Sequence, residues 1–176
     1  MIDLSHIRYA PLRRRYHRTL EFMSETTSGD ESIVDIGAPN PFSEILSEVG
    51  YSVQNTDFDL DREPGKMSDY KADIATSFEV FEHLLNPLSV LENIKAERLF
   101  TSIPMRLWFS PAYRNPKDKW DNHFHEFEDW QFEWLLEHAG WNIIRKDKWS
   151  SPVKAIGLRP LLRKFTPRYF IVEARR

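Results

Sequence analysis

Short apolar runs alternate with helix-forming segments from residue 32 to the C-terminus, and this alternation constrains the fold more than any other feature of the chain. Ser32-Ile33-Val34-Asp35-Ile36-Gly37 reads as a strand closed by glycine. Asn40-Pro41 then opens a helix, since asparagine caps free amides and proline at the first helical position lacks only an N–H that has no partner there. Phe42, Ile45, Leu46 and Val49 give that helix a buried face, and Gly50 ends it. Tyr51 to Thr56 is a second strand, followed by the acidic run Asp57-Phe58-Asp59-Leu60-Asp61 and a polar loop over 62–71 that contains Pro64-Gly65. Asp73 to Phe78 is a third strand. Asn86-Pro87 repeats the cap-then-proline signal ahead of Leu88, Leu91 and Ile94, and Arg98 to Ile103 is a fourth strand stopped by Pro104. Glu128 to Ala139 is a helix stopped by Gly140. Trp141 to Trp149 and Tyr169 to Ala174 are the final strands, with a short basic turn or helix around 158–165. Strands alternating with helices predict an α/β sandwich whose mostly parallel sheet is covered on both faces and binds ligands at the strands' carboxyl ends.

The 176 residues, 41% of them hydrophobic, suit one domain with a real core, spanning 1–176. No cysteine is present, which removes disulfides, thiolate zinc sites, iron–sulfur clusters and a cysteine nucleophile. The N-terminal residues lack the apolar core of a signal peptide, and no run approaches the ~20 apolar residues of a membrane span, so a cytoplasmic protein is expected. Net charge is −3, yet residues 30–99 carry fifteen acids against five bases, and the outer segments are net basic. An acidic centre disfavours a polyanionic partner, so no nucleic acid is expected. Tyr9, Leu12, Tyr16, Leu20 and Met23 mark a helix within residues 1–28, ended by the turn Ser28-Gly29-Asp30. Arg13, Arg14, Arg15 and Arg18 lie largely off that stripe. They read as a solvated basic face or as a lid over a substrate.

Several of these fragments together resemble class I S-adenosylmethionine-dependent methyltransferases of the small methyltransferase-domain family. Ile33-Val34-Asp35-Ile36-Gly37 resembles the family's opening strand, and Gly50 to Asp57 its second strand with a terminal acid. Ala72 to Leu84, with Glu82-His83-Leu84, is similar to the fourth strand and the segment after it. Asn86-Pro87, Ile103-Pro104, His125-Glu126-Phe127 and the run Leu135 to Trp141 continue the likeness in order. The resemblance implies a Rossmann-like three-layer sandwich of six or seven strands, with S-adenosyl-L-methionine as cofactor and a small molecule as methyl acceptor. It implies that Asp57 accepts the ribose hydroxyls and that Asp35 positions the loop holding Gly37 and Ala38. It also implies that Phe58, Ser77, Phe78 and Glu79 line the cofactor site. A monomer or homodimer is expected.

Two departures stand out. The family's glycine-rich loop usually runs Asp-x-Gly-x-Gly-x-Gly, but here it is Asp35-Ile36-Gly37-Ala38-Pro39-Asn40-Pro41, and Pro39 can neither donate a hydrogen bond nor adopt φ > 0. The short span from Asp61 to Asp73 leaves the family's third strand short or missing. The degenerate loop keeps open a second reading, a methyltransferase-like scaffold that has lost catalysis. His83 is a candidate general base or a structural hydrogen-bond donor, and His123 is a second catalytic candidate. His123 and His125 with a carboxylate also suit zinc or iron, but no third ligand stands at a distinctive distance and no metal is expected. The segment 105–126 reads as a variable, aromatic-rich insertion. Trp108, Phe109, Tyr113 and Trp120 fit a pocket wall for an apolar or ring-bearing acceptor, or a satellite core.

Overall fold

The computed structural model describes residues 4–118, 120–152 and 155–176, so Met1 to Asp3 of the N-terminal segment and Lys119 of the insertion lie outside the described residues. The elements are α1 (Ala10–Ser24), β1 (Ser32–Asp35), α2 (Pro41–Glu48), β2 (Ser52–Asn55), β3 (Ile74–Phe78), α3 (Pro87–Asn93), β4 (Arg98–Pro104), α4 (Asp129–His138), β5 (Asn142–Ser150), α5 (Leu158–Phe165) and β6 (Pro167–Arg175). The strands form one sheet in the order β2-β1-β3-β4-β6-β5. β2, β1, β3 and β4 are parallel, whereas β6 runs antiparallel to both β4 and β5.

Alternation along each strand sends neighbouring side chains to opposite faces. Val34, Ala75, Leu99, Phe170 and Val172 join the core beneath α3 and α4, while Ile33, Ile74, Phe100 and Ile171 join the core beneath α1 and α2. These two apolar layers make the three-layer α/β sandwich. Both Asn-Pro starts fold as expected. Asn40 Oδ1 accepts from the amides of Phe42 and Ser43, and Asn86 Oδ1 accepts from the Ser89 amide.

Residues 64–69 form a 3₁₀ turn where the family's third strand would lie. Pro64 and Gly65 disfavour a strand there, and buried Met67 anchors the turn to the core. β2 is therefore an edge strand, with alternate residues exposed. On the opposite side of the sheet, Glu173 of β6 is fully buried and accepts from Arg98 (2.8 Å) and Thr26 (2.9 Å), fastening the turn after α1 to the strands. Among the described residues, no helix is long and apolar enough to cross a membrane.

Candidate functional site

The parallel register sets Asn55, Asp35 and Thr76 side by side across β2, β1 and β3. Asp35 is buried, and its carboxylate accepts from Thr76 Oγ1 (2.7 Å), Asn40 Nδ2 (3.1 Å) and Asn55 Nδ2 (3.1 Å). Burial raises its pKa above the usual carboxylate range, while the three hydrogen bonds pull it part of the way back. This acid ties three strand ends to the loop that follows β1.

That loop turns at Gly37, whose φ of +117° lies in the region that favours glycine. The Gly37 amide donates to Thr56 Oγ1 at 2.8 Å, so the loops after β1 and β2 touch. Pro39 offers no N–H, and Asn40 with Ser43 satisfies the amides at the start of α2 through a capping box. The consequence of the unusual loop is physical: the helix start that could donate to a ligand is already capped by the protein.

The loops after β1 and β3 bound a cavity of about 270 Å³, closed on its third side by α1. Asp35, Gly37, Ala38, Phe78 and Glu79 all line it. Arg15, Tyr16 and Thr19 of α1 line it too. The Arg15 guanidinium meets the Glu79 carboxylate at 3.1 Å, and Ser102 Oγ donates to the other Glu79 oxygen at 3.0 Å. Burial opposes the Arg15 charge, but Glu79, Tyr169, Tyr16 and Glu82 together more than offset it and the guanidinium stays protonated. Glu79 itself sits at φ +60°, costing on the order of 1–3 kcal/mol that the surrounding contacts must sustain. Tyr16, Phe42 and Phe78 form an aromatic wall, with ring centroids 4.9 and 5.2 Å apart.

α1 thus divides the two readings of its basic residues. Arg15 faces the cavity, whereas Arg14 reaches the Pro152 carbonyl at the surface and Arg18 pairs with Asp147. A signal for Arg15 was present: it stands four residues before Thr19, on the helix face next to Tyr16.

Asp57, Phe58 and Ser77 do not line this cavity. Asp57 follows the touching β2 loop, and its carboxylate accepts from the Tyr70 hydroxyl at 2.5 Å; the Phe58 ring leans on the same tyrosine. Ser77 is fully buried within β3. Asp61 accepts from the amides of Leu85 and Asn86, joining the acidic loop to the start of α3.

His83 and His123, forty residues apart in sequence, come together with Glu82. The 3₁₀ turn Phe81–His83 carries Glu82 and His83, and the Glu82 carbonyl accepts from the amides of Phe124 (2.8 Å) and His125 (3.1 Å), drawing the 121–126 segment in. The two imidazole rings meet edge to face at 5.0 Å. His83 Nδ1 donates to the Asn122 carbonyl (3.1 Å), and His123 Nδ1 donates to Glu126 Oε1 (2.9 Å). Burial holds His123 below the usual histidine range and pushes the Glu82 carboxyl well above its own, with Glu79 adding to the latter shift. Sequence reading missed Glu82 as a site residue, although Glu79 and Glu82 stand at i, i+3. His125 lies apart from the cluster, stacked on Phe127.

A second cleft of about 410 Å³ adjoins this region and is lined by Arg114, Arg159, Arg163 and Arg168 together with Tyr113, Glu126 and Tyr169. Tyr169 links it to the first cavity, since Arg15 lies 5.5 Å from the Tyr169 ring centroid. Of the insertion's aromatics, Tyr113 lines the cleft, while Trp108 and Trp120 are exposed.

A mostly parallel sheet with a cavity where β1 and β3 end defines a Rossmann-like α/β ligand-binding protein. Residues 6–146 match the family described as "Methyltransferase domain", and the chain belongs to that family. Its fold is that of class I S-adenosylmethionine-dependent methyltransferases. Such an enzyme from Mesorhizobium loti is 15% identical, with a TM-score of 0.64 over 96% of this chain and 99% of that one. A SAM-dependent methyltransferase from Archaeoglobus fulgidus is 12% identical, with a TM-score of 0.64 over 99% of this chain and 100% of that one. Phosphoethanolamine N-methyltransferase 2 of Haemonchus contortus, solved with S-adenosyl-L-methionine, is 10% identical, with a TM-score of 0.55 over 91% of this chain and 52% of that one. No curated protein sequence matches the chain.

Proposed function

We propose that this methyltransferase moves a methyl group from S-adenosylmethionine to a small molecule bearing an anionic group, acting as a cytoplasmic monomer or homodimer. The observation that carries the reading is the charge pattern of the cavity beside Gly37. Arg15 suits the α-carboxylate of an amino acid, while Glu79 suits its ammonium group. The methionyl end of the cofactor is such a zwitterion. Small-molecule pockets usually span roughly 300–1,000 Å³, so about 270 Å³ takes the amino-acid end and leaves the adenosine outside. Asp57, the residue after the Thr56 that meets Gly37, is assigned the ribose hydroxyls, with Tyr70 holding its carboxylate. Phe58 packs against Tyr70, and Ser77 supports the strand end from within.

When bound, the cofactor supplies a methyl group already activated on a sulfonium. The protein's remaining work is to align the acceptor and, where needed, receive its proton. His83 and His123 are assigned to the acceptor side, each with Nδ1 committed to a carbonyl or carboxylate acceptor, so that Nε2 of the neutral ring is the atom that would receive a proton.

Isothermal titration of the purified chain with S-adenosylmethionine and with its demethylated product tests the cofactor assignment. Binding of both is expected, and no heat at high ligand concentration would overturn it in favour of a scaffold. Asp57→Ala is expected to weaken cofactor binding at least about tenfold, about 1.4 kcal/mol, with an unchanged far-UV spectrum. Equal affinities would remove Asp57 from the site. The four arginines of the second cleft favour an acceptor with a carboxylate or phosphate. In a panel of acceptors, the anionic compounds should turn over in preference to their neutral esters. Turnover restricted to the neutral members would refute the anionic assignment.

A further inference from the structure

Glu82 is 1% exposed, and neither of its carboxylate oxygens has a hydrogen-bond partner. A buried carboxylate left so is expensive, because burial removes water and nothing replaces it. His83 Nε2 stands 3.6 Å from Oε1, too far for a hydrogen bond. One ligand atom from each of Glu82, His83 and His123 lies within 4.8 Å of the other two, the one such three-residue group among the described residues.

The orientation of the rings sharpens this. A carbonyl or a carboxylate can only accept, so each Nδ1 facing Asn122 or Glu126 carries a proton, which in the neutral imidazole leaves Nε2 as the atom with the lone pair. A histidine ring whose far nitrogen donates to a carbonyl or carboxylate is the arrangement that orients metal-bound imidazoles. Arg168 is a fixed cation within electrostatic reach of Glu82 and His123, yet its Nη1 donates to the Met105 carbonyl at 2.7 Å and leaves both Glu82 oxygens unpaired.

We infer that Glu82, His83 and His123 form a binding site for one divalent transition-metal ion between the cofactor cavity and the arginine-lined cleft. Two imidazole nitrogens and one carboxylate suit Zn²⁺, Mn²⁺, Fe²⁺ or Co²⁺, whereas Mg²⁺ prefers an all-oxygen shell. Three protein ligands leave coordination positions open. The His83 side chain is 24% exposed, which provides a path for the ion to enter. Glu126, which holds His123, also lines the second cleft, and Glu79 of the cofactor cavity lies three residues before Glu82. An ion there sits where an acceptor oxygen could reach it and be made more acidic. That role rests on the methyltransferase reading, but metal binding itself does not.

The test uses the untagged full chain, stripped with a chelator and titrated with Co²⁺, whose visible absorption reports nitrogen ligation. One equivalent should bind, and a large excess of Mg²⁺ should leave the spectrum unchanged. His83→Ala, His123→Ala and Glu82→Gln should each lower Co²⁺ affinity at least about tenfold. His138→Ala, on an exposed histidine outside the cluster, should not. If the wild-type chain binds no Co²⁺, binds it without the nitrogen signature, or binds it equally in the three variants, the site is refuted. S-adenosylmethionine titration of the same samples separates the two readings. Cofactor binding without Co²⁺ binding sinks the metal site alone, and Co²⁺ binding without cofactor binding sinks the cofactor assignment alone.

Discussion

Arg15→Ala is expected to reduce the affinity for S-adenosylmethionine about a hundredfold while leaving the protein folded. Arg15 is the one basic residue lining a cavity whose acids are Asp35 and Glu79, so no other lining side chain can take its place. Truncating one partner of a desolvated, hydrogen-bonded charge pair costs about 2–5 kcal/mol, and a hundredfold loss is about 2.8 kcal/mol. Folding should suffer less. Glu79 retains its bond from Ser102, and Tyr16 and Phe42 still close the aromatic wall. Arg15→Lys keeps the charge but loses the planar fork that fits a carboxylate, so it should fall between wild type and alanine. Calorimetric titration beside a thermal melt decides the matter. A folded Arg15→Ala protein with wild-type affinity would mean that the guanidinium does not meet the cofactor.

Asp35→Ala should produce the largest loss of stability, about 3 kcal/mol, or a fall in Tm of roughly 6–12 °C for a chain of this size. The substitution strands three donors at once, from Thr76, Asn40 and Asn55. Thr76 is fully buried and has no easy access to water. The two asparagines have partial relief, since Asn40 also reaches the Ala38 carbonyl and Asn55 the Gly37 carbonyl. Asp35→Asn is informative because it keeps the shape. It preserves an acceptor for Thr76 but sets its own amide against those of Asn40 and Asn55, so it should lie between aspartate and alanine. Thr76→Val, which strands no donor, should cost less than either. Denaturant titrations of the four proteins measure this order. An Asp35→Ala protein as stable as wild type would show that the acid does not hold the strand ends together.

Much of the architecture was legible in the sequence because its signals are local. The Asn40-Pro41 and Asn86-Pro87 starts, the Gly37, Gly50 and Gly140 stops, and the short apolar runs of β1, β3, β4 and β6 each depend on a few neighbouring residues. Pro64-Gly65 likewise marked the place where a strand is missing. The site was legible in part. Asp35, Gly37, Ala38, Phe78 and Glu79 lie on the loops that the motif indicated, and all five border the cavity. Arg15 was ambiguous because its charge matched a solvated face, and helical periodicity alone does not show what packs above a helix. Glu82 was passed over because an acid within a 3₁₀ turn is ordinary until its burial is known.

The order of strands and helices, their start and stop points, and the chemistry of the loop after β1 belong to the sequence alone. They arise from backbone preferences and apolar spacing within reach of a few residues. Bringing Arg15 to Glu79, and His123 to Glu82 and His83, was decided only by the tertiary structure. Those meetings join residues dozens of positions apart, and they depend on how helices and insertion close over the sheet rather than on any local preference.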